Sequence, residues 1–188
     1  MKNSQKNPAQ RKTALFVGRF QPFHLGHLDI VHKILNENDH LLIAIGSAEK
    51  NYVPENPLTA GERYLIIDET LKAEGLDPAR YSIIPVRNIN NYALWVDHMN
   101  LYLPPYEKIY TGSDIVKACY EGSGCKHEIV TVKRERPVSA TKIRESIMQE
   151  SADWETFVPP RTAELLKEID LPTRLKQINQ TMKETKYK

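Results

Sequence analysis

The chain has 188 residues, 40% of them hydrophobic and 27% charged, with a formal net charge of +2. That composition suits a single soluble domain burying roughly 70% of its unfolded surface. The longest apolar runs, residues 41–45 and 65–67, are far shorter than the ~18 residues of a membrane-spanning helix and no charged-then-apolar leader precedes them, so a cytoplasmic location is expected.

Residues 1–12 are polar with no apolar period and read as a flexible leader, leaving 13–188 as one domain. Five short apolar runs, at 14–17, 41–45, 82–86, 108–110 and 129–132, read as strands. Between and after them, residues 24–36, 59–74, 92–103, 113–121 and 140–149 carry apolar side chains at helical spacing. Alternation of this kind predicts an α/β architecture, a parallel sheet of about five strands flanked by helices. Thr59 with Glu62 has capping-box spacing, and Ser139 or Thr141 is placed to cap the helix at 140. Beyond Trp154, Pro159, Pro160 and Pro172 divide the chain into short helical pieces, read as a C-terminal appendage over about 153–188.

Cys119 and Cys125 flank a Gly-Ser-Gly turn and read as free thiols; His127 could join them around zinc, but a fourth ligand is not evident, so no protein-held metal is expected. Lys133, Arg134 and Arg136 form a basic cluster, and Arg174, Lys176, Lys183, Lys186 and Lys188 another; such clusters can border phosphates or form solvated edges. Tyr102, Tyr106 and Tyr110 read as packing residues.

The segment Gly18-Arg19-Phe20-Gln21-Pro22-Phe23-His24-Leu25-Gly26-His27 follows the first strand and opens the first helix. In open parallel sheets ligands gather there, beyond the strand ends, where helix N-termini present unpaired N–H groups. Gly18 and Gly26 permit close backbone approach and Pro22 stiffens the turn. His24 and His27, three residues apart, fall on one side of the first helical turn, where paired imidazoles can stabilise charge growing on a polyphosphate. A lone histidine reads as an ordinary surface or core residue, whereas this pair in its Gly, Pro and Arg frame reads as functional.

A second constellation, Ser139-Ala140-Thr141-Lys142-Ile143-Arg144, follows the last strand at a helix start. Hydroxyls and N–H groups there bind phosphate, and Arg144, one turn on, adds a charge-assisted contact. Dehydrogenase and P-loop readings fail, because no Gly-x-Gly-x-x-Gly follows the first strand and no Gly-x-x-x-x-Gly-Lys-Ser/Thr occurs.

These two segments resemble the His-x-Gly-His and Ser-x-Thr-x-x-Arg signatures of the nucleotidylyltransferase superfamily. More narrowly, the Gly-Arg-Phe-Gln-Pro-Phe-His form, Gly46-Ser47-Ala48, the run from Asn56 to Arg63 and Leu94-Trp95-Val96 resemble archaeal nicotinamide-nucleotide adenylyltransferases, over about residues 14–159. The resemblance implies a Rossmann-like nucleotidylyltransferase fold and attack by the 5′-phosphate of nicotinamide mononucleotide on the α-phosphorus of ATP, with Mg²⁺ accompanying ATP and no covalent intermediate. It implies His24, His27 and Arg144 as catalytic, with Gly18, Arg19, Phe20, Gln21, Gly26, Ser139 and Thr141 around ATP. It implies Gly46, Ser47, Arg63, Asn91 and Trp95 as substrate-binding, with Arg63 a secondary candidate for a phosphate contact and the tryptophan stacking on the nicotinamide ring. Two positions depart from the family pattern: an Asp and an Asn that precede the tryptophan fall at Asn88 and Tyr92, with Asn91 adjacent as a source of the amide contact.

The expected partners are therefore ATP, nicotinamide mononucleotide and the product NAD, with no nucleic acid and no membrane, in a homo-oligomer. Other acceptors, nicotinate mononucleotide or phosphopantetheine, and a nucleotide-binding regulator without turnover stay open as alternatives.

Overall fold

The structure, a computed structural model, describes residues 11–132, 136 and 138–185. Residues 1–10 of the expected leader, and Lys133, Arg134, Lys186 and Lys188 of the basic clusters, lie outside the described residues. Five strands, β1 (Thr13–Gly18), β2 (His40–Ile45), β3 (Tyr81–Pro85), β4 (Lys108–Thr111) and β5 (Glu128–Thr131), form one sheet in the order β3-β2-β1-β4-β5. Every pairing is parallel, with Val17 opposite Ala44 and Phe16 opposite Tyr110. Because the chain works outward from β1 first to one side and then to the other, the crossovers diverge there and a crevice opens at the strand ends.

Both faces of the sheet are covered, which is why its central strands read as continuous apolar runs. Ala14, Phe16, Leu41, Ile43 and Ile45 pack under α1 (Leu25–Glu37), α2 (Ala60–Ala73) and α5 (Ala140–Met148). On the opposite face Leu15, Leu42 and Ala44 meet Val96 and Met99 of α3 (Trp95–Tyr102) and Tyr120 of α4 (Asp114–Gly122). The capping box at α2 forms as its spacing predicts: Glu62 N–H donates to Thr59 Oγ1 at 3.2 Å and Thr59 N–H to Glu62 Oε2 at 2.9 Å.

Two boundaries differ from the sequence reading. The helix expected from residue 92 begins at Trp95, after a 3-10 turn at Tyr92–Leu94. The asparagines before it favour a local turn over helix: Asn90 has φ 51° and accepts from the Asn88 amide at 2.8 Å. The tail is also less broken than its prolines suggest. Pro160 opens α6 (Pro160–Glu168) and Pro172 falls in the first turn of α7 (Leu171–Thr185), where proline is tolerated. Leu165, Leu166, Leu171 and Leu175 of this tail belong to the main core, and Thr162 pairs with Thr70 of α2 at 2.8 Å.

Candidate active site

A cavity of about 470 Å³ lies at the carboxyl ends of β1, β2 and β4, over the point where the crossovers diverge. Gly18, Arg19, Phe20, Gln21, Gly26, both histidines, Gly46, Ser47, Trp95, Ser139, Thr141 and Arg144 all line it. Residues more than a hundred positions apart thus meet around one space.

The loop after β1 is shaped by steric necessity. Phe20 takes φ 50° and folds its ring over Gly18, where a Cβ would stand 2.7 Å from that ring. A Cβ on Gly26 would press to 3.2 Å from the His24 imidazole. His24, 2% exposed, is the N-cap of α1 and its ring stacks on that of His27, centroids 3.6 Å apart and 19° from parallel. His27 is wedged further by Phe20 at 4.9 Å and Phe23 at 5.5 Å. Its Nδ1 accepts from the His24 N–H at 3.3 Å, which in the neutral ring makes Nε2 the protonated nitrogen.

Across the cavity, Ser139 caps α5 by accepting from the Lys142 N–H at 3.2 Å; Thr141 is not the cap. Arg144 Nη1 donates to the Gln21 carbonyl at 2.8 Å and Nη2 to Thr141 Oγ1 at 3.5 Å. Burial pushes the Arg144 guanidinium down from its ordinary value, and the positive charge of Arg19 pushes the same way. Two guanidiniums close enough to repel, in a cavity whose described lining contains Arg87 but no Asp or Glu, make a site for a polyanion.

The cytidylyltransferase-like family profile matches residues 15–146. A nicotinamide-nucleotide adenylyltransferase of Archaeoglobus fulgidus is 41% identical over 170 residues, covering 88% of this chain and 97% of that protein. One from Thermoplasma volcanium is 38% identical over 168 residues, covering 89% and 93%. The chain belongs to the nicotinamide-nucleotide adenylyltransferase family. Its fold recurs in a Francisella tularensis bifunctional NMN adenylyltransferase/ADP ribose pyrophosphatase complexed with AMP and a manganese ion, with TM-score 0.77, 21% identity, and coverage of 94% of this chain and 55% of that one. A Vibrio parahaemolyticus putative nicotinate-nucleotide adenylyltransferase gives TM-score 0.62 and 20% identity, covering 86% and 95%.

In this adenylyltransferase three of the residues singled out in the sequence sit otherwise than expected. Arg63 is 0% exposed and does not line the cavity; its guanidinium donates to the main-chain carbonyls of Arg19 and Gly46, so it is withdrawn from phosphate. The Gln21 side chain is occupied on both ends by Leu58, donating to its carbonyl and accepting from its N–H, each at 2.9 Å, so only its backbone is presented. Asn91 is exposed and outside the lining, while Asn88 and Tyr92 line it.

Trp95 lines the cavity, edge-on to Tyr120 with centroids 6.1 Å apart. Gly112 and Ser113 also line the space and were not singled out. A signal for them exists: like Ser139, Ser113 follows a strand and caps a helix, accepting from the Val116 N–H at 3.4 Å. A Cβ at Gly112 would stand 3.0 Å from the Val132 carbonyl, a tighter contact than side chains ordinarily make.

Proposed function

We propose that this protein transfers the adenylyl group of ATP to nicotinamide mononucleotide, forming NAD and releasing pyrophosphate. The observation that carries the reading is the convergence of the stacked His24 and His27 with Arg19 and Arg144 on a cavity whose described lining has no carboxylate. An oxygen of the mononucleotide 5′-phosphate bonds to the α-phosphorus while the bond to the bridging oxygen of the β-phosphate breaks, and pyrophosphate carries away that electron pair. Catalysis is then positioning and charge stabilisation.

The chain's own groups divide that work. The His27 Nε2–H side and the His24 ring meet the phosphates and the charge that develops on them. Arg19 and Arg144 neutralise the triphosphate, and the N-terminus of α5 with Ser139 and Thr141 receives the departing pyrophosphate. Trp95 offers its face to the cationic pyridinium of the acceptor.

Among the described residues no cluster of His, Cys, Asp or Glu could hold a metal ion. Mg²⁺ would accompany ATP, bound chiefly through the phosphates of the substrate. The family implies work in the cytoplasm, in NAD biosynthesis, as a homo-oligomer.

One observation favours a second acceptor. Arg87 and Asn88 line the same cavity as Trp95, and the Arg87 carbonyl accepts from His98 of the Trp95 helix at 2.7 Å; a guanidinium there suits the carboxylate of nicotinate mononucleotide. Purified protein incubated with ATP, Mg²⁺ and each pyridine mononucleotide, with phosphopantetheine alongside and pyrophosphate release and dinucleotide followed together, tests both readings. Absence of NAD from the nicotinamide reaction would end the first.

A further inference from the structure

Arg63, on α2, heads the fully buried side chains by volume. A cation in an interior is costly unless hydrogen bonds satisfy it, and burial pushes this guanidinium down to about 10, with Glu49 raising it and Arg19 lowering it. Its fork is filled by main-chain carbonyls: Nε donates to Thr59 at 3.2 Å, Nη1 to Arg19 at 3.0 Å and Gly46 at 2.9 Å, and Nη2 to Ser47 at 3.2 Å.

Those partners belong to two different turns. Arg19 precedes Phe20 in the turn after β1; Gly46 and Ser47 form the turn after β2; the turns are otherwise joined by a Gly46 N–H bond to the Gly18 carbonyl at 2.9 Å. Each turn contains a non-glycine residue in the left-handed region, Phe20 at φ 50° and Ser47 at φ 49°. L-residues adopt that conformation only where their surroundings impose it. The other sides of both turns line the cavity.

We infer that Arg63 is a positioning residue for adenylyl transfer: its guanidinium cross-ties the turn after β1 to the turn after β2 and holds Arg19 and Ser47 in place against the nucleotide. The inference rests on the reading of this cavity as the ATP site. A planar fork with N–H groups at fixed angles reaches both turns at once, which an ammonium point charge cannot do.

Arg63→Lys and Arg63→Met are the variants, compared with the full-length wild type by steady-state kinetics and by amide hydrogen exchange. Loss of preorganisation lowers kcat about tenfold or more while KM for either substrate stays within about threefold, since Arg63 touches neither. Exchange at residues 18–21 and 46–48 accelerates about tenfold or more, with β4 unchanged. Unchanged kcat with unchanged exchange at the two turns overturns the inference, as does acceleration spread evenly through the sheet. If the wild type itself forms no dinucleotide, the functional reading fails while exchange at the two turns still decides the cross-tie. Should both variants fail to fold, the wild-type guanidinium decides it by nuclear magnetic resonance: slow, resolved Nη–H signals are expected for Arg63, and freely averaging ones refute the cross-tie.

Discussion

Arg144 Nη1 and the Gln21 carbonyl are joined by a 2.8 Å hydrogen bond across 123 positions of sequence. The same guanidinium therefore anchors the histidine loop and borders the cavity. It ties the last βα junction of the sheet to the first, so geometry and charge at the site depend on one side chain.

Replacing Arg144 by Lys keeps a charge but loses the two-armed contact to Gln21 and Thr141. We expect kcat/KM for ATP to fall by about 100-fold, and further for Arg144→Ala. Steady-state assays at saturating acceptor check this; a loss under threefold for Arg144→Ala would remove it from the machinery.

His27→Ala removes the ring that stacks on His24 and that, on the proposed function, offers Nε2–H to the phosphates. A drop in kcat of about 100-fold or more is expected, with nucleotide affinity, measured by calorimetry, reduced much less. Equal losses of binding and turnover would point to a nucleotide-binding protein without catalysis.

Trp95→Ala deletes an aromatic face from the cavity while leaving both histidines, Arg19 and Arg144 in place. KM for the pyridine mononucleotide should rise about tenfold with KM for ATP unchanged, and Trp95→Phe should recover most of it. A shift in both constants would mean the indole supports the cavity as a whole.

Arg174 of α7 forks onto Glu62 of α2, each arm 2.7 Å, and covers the Tyr52 ring at 4.8 Å. The Arg174 and Glu62 side chains are 15% and 22% exposed, so Arg174→Met should cost about 1–2 kcal/mol of stability. Burial raises the Glu62 carboxyl, but Arg174 and the Thr59 N–H lower it by more, leaving it below its ordinary 4.5. A lowered carboxyl stabilises the fold above that value and loses the contribution as pH falls through the folded one. The gap in thermal midpoint between wild type and Arg174→Met is thus full at neutral pH and narrows below 4.5; a gap that widens in acid contradicts the pairing.

Thr70 and Thr162 share a buried hydroxyl pair between α2 and α6. Either single Val substitution strands the remaining hydroxyl and should cost about 1–3 kcal/mol, whereas the double substitution should cost less than the sum. Denaturant unfolding of the four proteins measures the coupling; additivity would show that the tail is not held through this contact.

The sequence by itself determined the five strands, most helix positions, the capping box at Thr59 and the two motifs that line the cavity. These are local matters: an apolar period, a cap at fixed spacing, or a glycine beside a ring is set by neighbours a few residues away. Only the tertiary structure decided where the polar side chains were committed. Arg63 reads as a candidate phosphate ligand until the turns after β1 and β2 are seen to enclose it, and Gln21 reads as a ligand contact until Leu58 is found on both ends of its amide. Burial and hydrogen-bond satisfaction depend on segments brought together from distant parts of the chain, a relation that spacing along one strand of sequence does not contain.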